Sequence, residues 1–284
     1  MMKKIENLFL LVLLLAACDS KKADTQDDGN RADTADSVCV ADTGLNLSAE
    51  ISDGLTNKNV DEFFGDFIFS FIQDRRLQVE RVRFPLKYVK MTAGKQITSV
   101  IEKNAWKHER IFVSPEYYTV LFNNEDQMEL ENSTETKVVD IEKINLKKNF
   151  IKVFHFEKVN GLWMLCQESE HPMGNSPLAE FLDFYRKFAS DSLMQRKSIE
   201  DPLRFVTADP ENDFGTIEGT LSVDQWFAFK PVLPENEITN IRYGQSYKNP
   251  NHIVFVKRGI SNGMLDVLTF TKKDGQWKFV SYEN

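Results

Sequence analysis

His155 is the residue whose ordinary chemistry comes closest to that of a general base, and it stands in an apolar run with Val153, Phe154 and Phe156. A base there needs a partner to share its proton, and no Ser or Cys in a recognisable nucleophile turn lies near it in sequence. Tyr117, Tyr118 and the many aspartates supply the residue types of isomerase chemistry, an Asp base and a phenol for an oxyanion, without a diagnostic spacing. His108, His155, His171 and His252 form neither His-x-x-x-His nor His-Glu-x-x-His, and the cysteines form no Cys-x-x-Cys. Neither a metal nor a cofactor is expected. Asp74 with Gln78, and Asp191 with Gln195, are polar pairs that could aim into a cavity; an Asp between two helices more often caps backbone N–H groups. Arg81 and Arg83 alternate with Val82 and Phe84, where they could clamp an anion on one strand face or simply meet solvent. No residue stands out as catalytic.

The address is written more plainly than the chemistry. Lys3 and Lys4 precede an unbroken apolar run from Leu8 to Leu15, then Ala16, Ala17 and Cys18, which predicts a secretory signal over residues 1–17 that is too short to span a bilayer. Residues 18–47 follow as an acidic, disordered tether: seven aspartates against three basic residues, with no aromatic side chain between Asp19 and Asp42. The tether carries half of the net charge of −8, so the folded part is only mildly acidic and no basic face invites nucleic acid. Asp33-Thr34-Ala35 and Asp36-Ser37-Val38 are Asp-Ser/Thr-aliphatic triplets of the kind that some bacteria glycosylate after export. Beyond Cys18, which follows the signal segment, Cys39 and Cys166 can pair in an oxidising compartment or stay apart.

The elements that must position any site repeat themselves. Phe64, Phe67, Phe71, Asp74, Gln78, Pro85 and Leu86 match Phe181, Phe184, Phe188, Asp191, Gln195, Pro202 and Leu203 at one offset. Phe156, Lys158, Gly161 and Trp163 match Phe270, Lys272, Gly275 and Trp277 at an offset three shorter, and Trp106 pairs with Trp226. Each copy opens with a helix carrying an aromatic stripe, capped by Asn59 and Glu62 in the first and by Ser176 before Pro177 in the second. Each closes with a meander: 141–146, 150–158 and 162–167, then 252–257, 264–271 and 276–282. Asn160-Gly161 and Asp274-Gly275 are type I′ hairpin turns, and Asn262-Gly263 marks another. Helices first and strands afterwards give an α+β fold, with helices on one face of a curved antiparallel sheet, in two domains over 48–171 and 175–284.

Leu15-Ala16-Ala17-Cys18 resembles the lipobox of bacterial lipoproteins, which implies cleavage before Cys18 and acylation of its thiol and amine. Several acyl chains hold a protein to a bilayer where one is marginal. The helix, short second helix and bent sheet ending in Gly-x-Trp resemble the nuclear-transport-factor-2-like (NTF2-like) fold, shared with ketosteroid isomerases and cystatin-like domains. The strings Phe67-x-x-x-Phe71-x-x-Asp74-x-x-x-Gln78 and Arg83-Phe84-Pro85-Leu86 resemble an uncharacterised lipoprotein family of Gram-negative gut anaerobes with two such domains in tandem. The second copy has Glu200-Asp201-Pro202-Leu203 instead, so a role for Arg83 would not be shared.

The resemblance implies an envelope lipoprotein, attached to a bilayer through acylated Cys18, in the outer membrane and facing either the periplasm or the surface. The leading expectation is a non-catalytic binding or scaffold module for a small molecule, a glycan or an envelope protein. An isomerase- or hydratase-like enzyme using one domain's cavity is the alternative, and a third possibility is a structural protein with both cones filled by Phe.

Overall fold

The computed structural model describes residues 60–92, 94–212, 215–247 and 250–284, all within one compact unit spanning Asn46–Asn284. The signal segment, the tether, Cys18, Cys39 and Asn59 lie outside the described residues. None of the described helices is long and apolar enough to cross a membrane.

The first half runs through α1 (Phe64–Gln73), α2 (Arg75–Glu80), β1 (Val82–Thr92), β2 (Lys95–Ile101), β3 (Tyr117–Phe122), β4 (Val138–Asn145), β5 (Phe150–Val159) and β6 (Leu162–Pro172). The second half restates that order with α3 (Ala179–Ser190), α4 (Ser192–Ser198), β7 (Ile199–Ala208), β8 (Thr216–Leu221), α5 (Val223–Phe229), β9 (Glu237–Arg242), β10 (His252–Gly259), β11 (Leu265–Lys273) and β12 (Gln276–Glu283). A 3-10 turn at Lys103–Ala105 stands where the second half has α5.

The aromatic stripes do what their spacing predicts. On α1, Phe64, Phe67, Ile68 and Phe71 are buried, with Phe64 against Trp163 at 5.0 Å and Phe71 edge-on to Phe156 at 5.4 Å. On α3, Phe181, Phe184, Tyr185 and Phe188 are buried, and Tyr185 stacks on Phe255 at 4.6 Å. Each such ring contributes about 1.5–3 kcal/mol by leaving water, so these helices are held by packing. Asn160 and Gly161, and Asp274 and Gly275, all have positive φ, as type I′ turns require. At the third hairpin the positive φ falls on Ser261 and Gly263, while Asn262 uses its side chain to accept from Met264 N–H. The Asn59 cap lies outside the described residues, and α1 begins at Phe64 without a side-chain cap. Asp61, just upstream, instead gives its carboxylate to Arg81 and to the Trp163 N–H.

Two six-stranded sheets result, in the orders β2-β1-β6-β5-β4-β9 and β3-β10-β11-β12-β7-β8. They are mixed rather than wholly antiparallel, because β1 runs parallel to β6 and β7 parallel to β12. These neighbours sit at opposite ends of a long connection, which leaves their relative direction free of the hairpin constraint. The sixth strand of each sheet comes from the other half. β9 pairs with β4, and β3 pairs with β10. The two cores are exchanged in the same way: Leu121, Ile144 and Ile151 join the cluster around α3, while Ile241, Val254 and Val256 join the cluster around α1.

Candidate functional site

The helix-packed face of each sheet changes from rings to charges at one end. In the second sheet, Phe255 on β10 and Leu268 on β11 are followed along that face by Lys257 and Asp266. Lys257 Nζ lies 3.2 Å from Asp266 Oδ2, and the Tyr282 hydroxyl donates to Asp266 Oδ1 at 2.7 Å. Lys257 also stands over the Tyr117 ring at 5.0 Å, beside an open cleft of about 500 Å³ whose apolar wall includes Val232 and Met264. Burial, with the Asp266 carboxylate beside it, pushes the Tyr282 phenol well above its ordinary range.

The corresponding register positions in the first sheet are Lys143, Lys152 and Glu168. Lys152 is gripped by Glu168 at 3.0 Å and Glu109 at 3.2 Å. Burial pushes the Glu168 carboxyl up, opposed by the Lys152 ammonium. Burial also works against the Lys152 charge, but the two carboxylates outweigh it and its pKa is raised. Aligning the two meanders by strand register brings out these six positions. The sequence reading missed them because it weighed the repeat by its aromatic residues.

Between helices and sheets, rings occupy the space the fold encloses. Phe270 touches Phe181, Phe184, Phe188 and Phe279 at 5.2–5.8 Å, and Trp226 lies 4.7 Å from Phe279. Phe156 has Phe64, Phe67 and Phe71 at 5.4–5.8 Å.

The residues first considered for chemistry are scattered. His155 lies on the opposite face of the first sheet, where Nδ1 meets Asp140 at 2.6 Å and Nε2 meets Glu157 at 3.1 Å. The Asp140 bond, joined by Glu157 and opposed by partial burial, raises its pKa, and with a carboxylate on each ring nitrogen neither nitrogen is free to act as a base. Asp74 and Asp191 are helix caps, each accepting two backbone N–H bonds at 2.7–3.2 Å. Gln78 bonds Phe71 O and both backbone groups of Glu109, and Gln195 accepts from Lys230. Arg81 and Arg83 do not form a clamp: Arg81 is buried in a two-pronged pair with Asp61 at 2.9 Å, and Arg83 is exposed on β1. Tyr117 and Tyr118 leave β3 on opposite faces, Tyr118 stacked on Phe112 at 5.2 Å and its phenol pushed up to about 12 by burial. Cys166 is half-buried on β6, its thiol pushed up chiefly by burial. Among the described residues, no group of three or more His, Cys, Asp or Glu could hold a metal ion.

A family profile described as a domain of unknown function, DUF4348, matches residues 44–284. The chain belongs to the DUF4348 family. A crystal structure of an NTF2-like protein from Bacteroides fragilis is similar to this DUF4348 chain, with a TM-score of 0.73 and 40% identity over 79% of this chain and 96% of that one. No curated protein matches it. The DUF4348 unit is thus an NTF2-like α+β fold with two curved sheets.

Proposed function

We propose that the chain is an exported lipoprotein, cleaved before Cys18 and acylated there, whose compact unit serves as a non-catalytic binding or scaffold module in the bacterial outer membrane. One observation carries the non-catalytic part. The charged groups at the ends of both helix-packed faces are engaged with one another: Asp266 by Lys257 and Tyr282, Glu168 by Lys152. A carboxylate that already accepts two hydrogen bonds is a poor base, and a lysine held by two carboxylates is a poor nucleophile. The filled interior adds to this, since a ligand enclosed as an isomerase substrate would have to displace Phe270 or Phe156. Lys3, Lys4, the run Leu8 to Leu15 and the Leu15-Ala16-Ala17-Cys18 tetrad support the export and anchoring. The partners that fit are a lipid bilayer through Cys18 and a small molecule, a glycan or an envelope protein at the surface of the unit.

Intact-mass analysis of the protein from native membranes tests the anchor. A chain starting at Cys18 with acyl mass added is expected, and Cys18→Ala should leave the signal segment uncleaved; an unacylated mature chain overturns the anchor. Thermal-shift screening and cross-linked capture test the module. A ligand at a hundred times its Kd adds about 2.7 kcal/mol, several degrees of Tm. No shift and no partner would end the binding reading, and turnover of any bound ligand would replace it by catalysis.

A further inference from the structure

A cleft of about 420 Å³ lies between the outer flank of α1 and the segment leading into β3. That volume falls within the range of small-molecule sites. Its walls are apolar, with Phe69 and Ile72 from α1, Phe112 and Val113 from the segment, and Ile260 from the β10–β11 turn. Its polar lining includes Arg110 and His108 and no carboxylate. Among the described residues the Arg110 guanidinium has no ion-pair partner, and His108 Nδ1 is a buried atom without a hydrogen bond. A buried polar atom of this kind normally finds a partner.

The segment carrying Arg110 and His108 is fastened from behind. Gln78 accepts from Glu109 N–H at 2.9 Å and donates to Glu109 O at 3.0 Å, Lys152 pairs with the Glu109 carboxylate, and Lys143 donates to Arg110 O at 3.1 Å. Glu109 is therefore turned to the sheet and spent, while no carboxylate lines the cleft beside Arg110 and His108. Holding a binding group in place beforehand lowers the ordering cost of a ligand.

We propose that this cleft binds a small single-chain amphipathic carboxylate, with its apolar body against Phe69, Ile72, Phe112 and Ile260 and its carboxylate on Arg110 and His108. Planar guanidinium matches a carboxylate with two parallel hydrogen bonds. The inference rests on the binding-module reading and gives it a site and a ligand class.

Isothermal titration of the chain from residue 18 to 284, carrying Cys18→Ser so that it stays free of detergent, tests it with decanoate as probe and 1-decanol as its neutral counterpart. Saturable binding of one decanoate is expected, at least tenfold tighter than 1-decanol. Arg110→Ala should weaken decanoate at least tenfold, about 1.4 kcal/mol, and leave 1-decanol unchanged. Ile260→Asp should weaken both. Arg110 is exposed and only its carbonyl is held, so the variant should keep the parent Tm. Absence of saturable binding, equal affinity for the alcohol, or full affinity in a folded Arg110→Ala protein overturns the assignment. Binding seen only after deletion of residues 19–42 also overturns it, since the acidic segment would then be the occupant. None of these failures touches the anchor or the capture of another partner, which decide the wider reading separately.

Discussion

Thr119 on β3 and Thr239 on β9 bond each other reciprocally. Each backbone N–H donates to the other's hydroxyl oxygen, at 2.8 and 3.0 Å, and each hydroxyl donates to the other's carbonyl, at 2.5 and 3.1 Å. A hydroxyl has one proton and two lone pairs, so each threonine both gives and takes, and four buried backbone groups are satisfied where two sheet edges meet. Beside them Asn240 accepts from Leu121 N–H, and the Tyr247 hydroxyl donates to Leu121 O. Edge strands that would otherwise offer bare N–H and C=O groups are closed by side chains.

Thr119→Val should therefore be costly although it keeps shape and volume. It strips the partners from Thr239 N–H and C=O, and about 1–3 kcal/mol of stability should be lost. Thr119→Ser keeps both bonds and should behave close to wild type. Urea unfolding of the three proteins measures the difference, and a valine variant as stable as the serine one would show that the pair contributes nothing.

The strand exchange makes the two halves one cooperative system. Far-UV and near-UV circular dichroism should report the same urea midpoint, because Ile241 and Val256 sit in the cluster around α1 while Leu121 and Ile151 sit in the one around α3. A chain stopped at Pro172 lacks β9 and leaves the edge of β4 open. It should be unfolded or aggregate rather than fold as a separate domain, and a sharp melting transition in that fragment would contradict this.

Asp61 and Arg81 form a buried two-pronged pair, and the same carboxylate oxygen accepts from Trp163 N–H at 2.9 Å. Removing one charge leaves the other buried and alone. Asp61→Ala should cost about 3–5 kcal/mol, whereas the double change Asp61→Leu with Arg81→Met should recover much of it. Chemical denaturation of both variants is the check.

His155 ties stability to pH. Its folded pKa is raised by the Asp140 bond, with Glu157 assisting against partial burial. The charge is therefore worth more in the folded chain than in the unfolded one. That contribution is fully present below about pH 6.5, the unfolded value, and is lost as pH rises through the folded pKa. The imidazole proton signals should titrate above about pH 6.5 in NMR, and Asp140→Asn should bring the midpoint down. Thermal melts should then fall less between pH 6 and 8 in His155→Gln than in wild type.

Local chemistry was legible from residue types alone. The helical spacing of Phe64, Phe67 and Phe71 placed the core face, Asp74 and Asp191 read as caps, and Asn160-Gly161 and Asp274-Gly275 read as turns, because each depends on residues one or two helical turns apart at most. The α+β architecture followed from the order of those elements, and the fold match supports it. The lipobox-like tetrad at Cys18 is likewise a local pattern.

Only the tertiary structure decided which half each strand completes. β3 and β9 have suitable strand sequences, Tyr-Tyr-Thr-Val-Leu-Phe and Glu-Ile-Thr-Asn-Ile-Arg, yet nothing in alternation or propensity tells a strand whose edge to join; that choice is made by partners more than ninety residues away. Lys257 with Asp266, Asp266 with Tyr282, Lys152 with Glu168, and Asp61 with Arg81 are only 9 to 20 residues apart, and what hid them was burial rather than distance. A charged side chain becomes a buried ion pair only when the fold removes water from around it, and the residues that exclude the water are not its neighbours in sequence.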